Sequence, residues 1–316
     1  MSDIPFKRVN LGDVHSELDP VLDSGMIGLG EKVFEFEREL ADYLGVSHVV
    51  AVDSCTSALF LSLKADERKE VGVPSMTVPL VAGAALEAGK MLYLTDATEW
   101  VGSSYLIEGT TVWDSAHELE RNQCHGISTA ARICFSFYPT KNIGSADGGA
   151  IACNDPEFEK WVRMISTYGR NQEARYQNSW DYDTEVIGYK RHYTNVQAAI
   201  CLAQLKRLDE VNRRRRRIVD IYNDAFGLEN RSLYLYRISV PHRDEFIQRM
   251  KADGIECGVH FKPLHMMAAF RGFPFSGDKG RVEDVYAHTV SLPLYYGLTD
   301  DQVGQVISAT MKFRDL

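Results

Sequence analysis

Short apolar runs alternate with helix-patterned segments through the first half of the chain, and this alternation restricts the fold more than any other feature. Val46 to Val52, Val71 to Pro74, Met91 to Thr95, Thr110 to Trp113, Ile133 to Tyr138 and Ala150 to Cys153 are short and apolar, many with β-branched or aromatic residues, as buried strands are. Ala58 to Lys64 and Leu80 to Ala88 carry helical patterns between them. Strands that alternate with helices predict an α/β fold on a doubly wound, mostly parallel sheet. In such sheets ligands collect where the strands end. Three polar stretches fall there, Ser54 to Ser57, Asp114 to His117 and Ser136 to Lys141. A shared pocket is the expectation.

The flanks read differently. Residues 1–31 resemble a loose arm with turns at Gly25, Gly28 and Gly30. From Lys32, the residues Val33, Phe36, Leu40, Tyr43 and Leu44 recur with helical spacing, and Gly45 stands where a C-terminal cap belongs. Asn195 to Phe226 is a long helical tract containing five consecutive arginines, Arg213 to Arg217. Five successive helical residues wrap more than one turn and form no flat basic face. With Asp209, Glu210 and Asp220 nearby, a salt-bridged, solvated helix is expected. After Phe226 come a strand (Leu233 to Val240), a helix (His242 to Asp253), a strand (Ile255 to Phe261) and a closing helix (Val303 to Phe313). These set a large domain, 1–226, apart from a smaller C-terminal α+β domain, 227–316.

Bulk properties exclude several function classes. The net charge of −9 argues against a nucleic-acid binder. The six cysteines (55, 124, 134, 153, 201 and 257) form no CxxC pair and several lie in apolar runs, so free thiols in a reducing compartment are expected rather than disulfides or a metal site. No apolar run approaches the length of a membrane span, and the N-terminus lacks a signal-peptide core. A cytoplasmic protein without a membrane partner is the expectation.

Chemistry concentrates in residues 133–153. Pro139 stops the Ile133 to Tyr138 run, Thr140-Lys141-Asn142 occupies the turn, and Gly144, Gly148 and Gly149 lead into the next run. A lysine at the mouth of an apolar strand is placed to lose its proton, and Schiff-base chemistry requires a neutral amine. A solvated loop lysine is the plain alternative. Ser54 to Ser57 would hold a phosphate at a helix N-terminus, or simply cap that helix. Asp114 could likewise be an N-cap, His117 a satisfied core histidine and Ser136 an inert strand residue.

The ordered motifs SCTSAL, VPSMTV, WDSAH, FSFYPTKNIGSADGGAI, GYKRHYTNVQAAICLAQLKRLDEVNRRR, GVHFKPLH and SLPLYYGLTDDQV resemble the DegT/DnrJ/StrS family of nucleotide-sugar aminotransferases dependent on pyridoxal phosphate (PLP). The resemblance runs from about Gly25 to Ile307. It implies the type I aminotransferase fold and a cofactor-linking lysine at Lys141, which also moves the substrate's proton. It puts the ring-nitrogen carboxylate at Asp114, a ring contact at His117, and phosphate contacts at Thr56, Ser57 and Ser136. The residue covering the ring falls on Val78, where relatives stack an aromatic. Lys190 takes the position of an asparagine that reaches the neighbouring subunit's phosphate, so a homodimer with shared active sites is implied. Tyr189, His260 and His265 fall on the substrate side. The donor implied is an amino acid such as glutamate and the acceptor a keto group on a nucleotide-linked sugar. A sugar dehydratase of the same family would carry histidine in place of Lys141, and a non-catalytic relative would not need Lys141 and Asp114 together. Two departures stand out: Cys55 replaces a loop glycine, and the large domain is abbreviated between Asp96 and Thr111.

Overall fold

The computed structural model describes residues 4–170 and 183–314. The chain forms two compact units, Leu11–Glu67 with Thr110–Arg207, and Met1–Asn10 with Arg68–Gly109 and Leu208–Leu316. The division at 226/227 expected from the sequence draws a different line, because residues 68–109 and the 208–226 helix fall with the C-terminal part.

In chain order the elements begin with α1 (His15–Ser24), α2 (Glu31–Leu44), β1 (His48–Val52), α3 (Cys55–Ala65), β2 (Glu70–Pro74), α4 (Pro79–Glu87) and β3 (Met91–Thr95). Next come β4 (Tyr105–Leu106), β5 (Val112–Asp114), β6 (Arg132–Ser136), β7 (Gly149–Cys153), α5 (Pro156–Ile165) and α6 (Asn195–Leu205). The remainder is α7 (Leu208–Phe226), β8 (Tyr236–Ser239), α8 (Arg243–Ala252), β9 (Phe275–Ser276), α9 (Lys279–His288), β10 (Thr289–Leu292) and α10 (Asp300–Phe313).

The first unit is built on β1, β7, β6 and β5, side by side in that order. The sheet is mixed rather than mostly parallel. β5 and β6 run parallel, but β7 is antiparallel to both β6 and β1. The cause is the helix-free connection 137–148, which returns the chain beside the strand it left. Registers place Val52 and Ser136 on either side of Gly149, and Asp114 opposite Cys134. The ends of β1, β5 and β6 and the start of β7 therefore share one edge of the sheet.

Helix α2 ends on Gly45 at φ +70°, as the sequence predicts. It packs Phe36 against Phe137 and Tyr193. Within the expected arm lies α1, which buries only Glu17 and Val21, too few positions to make a periodic pattern. Glu17 binds the ammonium groups of Lys32 (2.8 Å) and Lys206.

In the other unit β2, β3 and β9 form a parallel sheet, and β8 and β10 an antiparallel pair. The core gathers Ile218, Tyr222, Tyr236, Phe246, Leu292 and Val306. The tract from Asn195 to Phe226 is two helices, with the break at Lys206 and Arg207. Ile255 to Phe261 forms isolated bridges, Ile255 to Ile4 and Gly258 to Ser291, instead of the expected strand.

The arginine run is partly solvated, as expected, and two of its members pair with Asp300 from a distant helix. Arg214 and Arg217 each lie 2.6 Å from that carboxylate. Arg215 is buried, donates to the Leu233 carbonyl at 3.2 Å, and has its pKa pushed down to about 10 by burial.

Candidate active site

The site is built at the shared strand edge. Ser54, extended at φ −163°, caps α3, and its Oγ accepts the Ser57 N–H at 3.2 Å. The cap reading is thus correct, and it is compatible with an anion, because a helix begins with several N–H groups that have no intrahelical acceptor. The close backbone approach here belongs to Gly149. A Cβ on that residue would lie 2.4 Å from the Cys55 nitrogen and 2.5 Å from the Ser54 carbonyl carbon. Burial pushes the Cys55 thiol well up, and the Asp114 carboxylate adds to this while Lys141 opposes it. Cys55 is a neutral thiol in the charge field of both residues.

Asp114 ends β5 and is 5% exposed. Its Oδ1 accepts the Ala116 N–H at 2.9 Å, which fixes the carboxylate over the turn. That turn is braced by the Ser115 N–H on the Cys134 carbonyl (2.8 Å) and by Gln123 Nε2 on Ser115 Oγ (2.7 Å). His117 is buried three residues on. His117, Ser136, Lys141 and Asn142 line one small cleft. The structure therefore brings together the lysine, the histidine and the serine that the sequence singled out.

The lysine loop is held from behind. The Lys141 N–H reaches the Tyr138 carbonyl at 2.9 Å, closing the turn after Pro139. Gln204 of α6 clasps Gly144 with both ends of its amide, accepting from the N–H at 3.1 Å and donating to the carbonyl at 2.6 Å. Ser145 Oγ and the Tyr193 hydroxyl are 2.6 Å apart, and Tyr193 lies against Gly148, whose φ of +152° suits glycine.

The Gly188-Tyr189-Lys190 segment lies nearby. Tyr189 packs edge-on against Phe60 with centroids 5.0 Å apart. Lys190 is exposed, with its backbone bridged to Thr167. Arg191, which sequence reasoning passed over, stacks 4.4 Å above Phe60 and donates from Nη1 to Ser57 Oγ at 2.9 Å. The signal was there, in a second basic residue directly after Lys190.

Val78, His260 and His265 belong to the other compact unit. Val78 precedes α4 and is partly buried. His260 stacks on Phe6 and its Nδ1 lies 2.9 Å from Ser291 Oγ. His265 joins Ser75 Oγ (2.7 Å) to Glu283 (3.1 Å).

The sequence profile of the DegT/DnrJ/EryC1/StrS aminotransferase family matches residues 12–108 and 110–311. The chain belongs to this family. It is a PLP-dependent aminotransferase. The chain is 30% identical to the spore coat polysaccharide biosynthesis protein SpsC of Bacillus subtilis, over 93% of this chain and 92% of that protein. It is 28% identical to the dTDP-3-amino-3,4,6-trideoxy-alpha-D-glucose transaminase of Micromonospora megalomicea, over 94% and 93%. The fold matches the Helicobacter pylori aminotransferase involved in pseudoaminic acid biosynthesis with a TM-score of 0.82 at 20% identity, over 99% of each chain. The SpsC alignment spans 358 positions but holds 93% of a 316-residue chain, so about 60 positions face no residue of this aminotransferase.

The residues present fit the cofactor. A capped helix start with a hydroxyl-bearing first turn suits a phosphate, a buried carboxylate at a strand end suits a protonated ring nitrogen, and an amine shares the cleft with a histidine and a serine. Thr56, Ser57 and Ser136 would hold the phosphate, Asp114 the ring nitrogen and Lys141 the carbonyl carbon.

Proposed function

We propose that this aminotransferase moves an amino group from an amino acid, glutamate foremost, to a keto group on a nucleotide-linked deoxysugar destined for a glycan or polysaccharide. The observation that carries the reading is the presence together of the buried Asp114, at the end of β5, and Lys141, in the turn after β6, both within the charge field of Cys55. A protein that only bound sugar nucleotides would have no use for that combination. When bound, PLP supplies the electron-accepting ring and the carbonyl that carries the amino group between substrates. Asp114, fixed by Ala116, keeps a proton on the ring nitrogen. With PLP bound, Lys141 Nζ would hold its carbonyl carbon and, as a neutral amine, would take and return the proton at the substrate's reacting carbon. His117, itself buried, would contact the ring. Kinship with the dTDP-sugar transaminase supports a nucleotide sugar as acceptor.

A homodimer with shared sites is part of the proposal. Exposed apolar side chains surround the Lys190 segment and the lysine loop, among them Ile187 (94% exposed), Val186, Tyr168 and Tyr138. A second copy of the chain would cover them. On the dimer reading, Lys190 reaches the partner's phosphate and Tyr189 lies on the sugar side. A cytoplasmic location fits six free cysteines and the finding that no helix among the described residues is long and apolar enough to cross a membrane.

The test is an absorbance scan of the protein with PLP, before and after L-glutamate, followed by a panel of nucleotide keto-sugars. A lysine-linked band that glutamate converts to the pyridoxamine form, and that one keto-sugar restores, is expected. A band unmoved by any amino acid would sink the reading. Light scattering at working concentration should give twice the 35.6 kDa chain mass.

A further inference from the structure

The phosphate end of the site has a charge problem that the residues assigned to it from the same chain, Thr56, Ser57 and Ser136, do not solve. PLP brings a dianion. The loop that receives it begins at Asp53, whose Oδ1 lies 3.3 Å from Ser54 Oγ, and shares its strand edge with Asp114. The helix start also has one donor fewer to offer, because the Ser57 N–H is taken by Ser54. Gly149 closes the side next to Cys55. Two carboxylates and a depleted donor set leave the anion in need of a fixed cation.

We propose that Arg191 is that cation, a ligand of the cofactor phosphate supplied by the same chain that supplies Lys141. Its guanidinium already touches the first turn of α3, 2.9 Å from Ser57 Oγ. Phe60, from the same helix, supports it from below. Its backbone is tied to the loop it serves, because the Arg191 carbonyl accepts the Asp53 N–H at 3.0 Å and His192 bridges Val52. The bridges at Lys190 (to Thr167) and His192 (to Val52) mark an extended segment, in which neighbouring side chains point to opposite sides. Arg191 faces α3, so Lys190 faces away from it, free for a partner subunit's site. The two basic residues thus divide the work, one serving its own cofactor and the other its neighbour's. A planar fork that can keep one N–H on Ser57 and turn others to phosphate oxygens suits this place better than an ammonium would.

This inference rests on α3 being the phosphate end of the site. The experiment compares two probes, PLP and pyridoxal, which differ only in the phosphate. Apo-protein is titrated with each by absorbance, for the wild type and for Arg191→Gln, with inorganic phosphate as a competitor. PLP affinity is expected to fall about tenfold or more in Arg191→Gln, the usual worth of a charged hydrogen bond. Pyridoxal affinity should hold, and inorganic phosphate should compete less well than in the wild type. Parallel losses for both aldehydes would make Arg191 a mere brace of the loop, and no loss for either would remove it from the site. Should Arg191→Gln not fold, Arg191→Lys decides by the same comparison. A PLP-selective loss supports the assignment, and parallel or absent losses overturn it. Failure of the wild type to prefer PLP over pyridoxal would instead undo the α3 phosphate site as a whole.

Discussion

Gly149 on β7 lies so close to the start of α3 that a Cβ would stand 2.4 Å from the Cys55 amide nitrogen. The contact is backbone on backbone, so no side chain can swing aside to relieve it. Gly149→Ala should therefore push α3 away from the sheet edge, costing about 1–3 kcal/mol by overpacking. Urea unfolding reads the stability and PLP titration the site. A variant as stable as wild type with unchanged PLP affinity would contradict the packing described.

Lys141→Ala should abolish the absorbance band of the lysine-linked cofactor and the turnover with it. The loop itself is held by Gln204 on Gly144 and by Tyr193 at Ser145 and Gly148. Circular dichroism and the melting temperature are thus expected to stay near wild type. Residual turnover close to normal would refute the assignment.

Asp114→Asn keeps an oxygen for the Ala116 N–H, so the turn should survive while the negative charge is lost. Without that charge the ring nitrogen gives up its proton. Turnover is expected to drop by about a hundredfold or more, in the range of a lost proton-transfer partner. PLP affinity should fall much less, and a single-turnover assay with glutamate separates the two effects.

Glu17 offers a pH test of the first unit. Hydrogen bonds from Lys206 and then Lys32 hold its carboxyl below the ordinary 4.5. The unfolded chain then binds more protons than the native one around that pH, so this contribution is present above about 4.5 and fades as pH falls below it. Lys206 is largely solvated, which limits the sum to about 1 kcal/mol. Glu17→Gln should be less stable than wild type at pH 7, with the gap closing toward pH 4 in denaturant titrations. A gap that widens on acidification would show the sign to be wrong.

The arginine run should separate by burial. Arg215→Ala removes a buried stem together with its hydrogen bond to the Leu233 carbonyl, and is expected to cost about 2 kcal/mol. Arg213 is exposed, and its replacement by alanine should stay within about 0.5 kcal/mol. Thermal melts of the two variants make the comparison.

Most of what positions the chemistry was legible in the sequence because it depends on local pattern. Strand ends carried Ser54, Asp114 and Ser136, and the proline and glycines after β6 marked the lysine turn. What stayed hidden depends on pairing across the fold. An apolar run has no direction, so β7 gave no sign of running antiparallel to its neighbours. Arg191 could be chosen over Lys190 only once the extended segment was registered against Val52 and Thr167. The close approach of Gly149 to the backbone of Cys55 joins residues far apart in sequence and adjacent in space. The break at Lys206 was invisible because apolar spacing continues through it, and the burial of Arg215 because four other arginines surround it.

The amide clasp between Gln204 and Gly144 has a consequence for how such a chain can change over time. It fastens the reacting turn to a helix that follows the basic segment, while that segment is laced to the loop before α3. The reacting parts are registered against one another as a jig holds a workpiece. A lineage can therefore shed some sixty positions present in its relatives and keep its tooling in gauge.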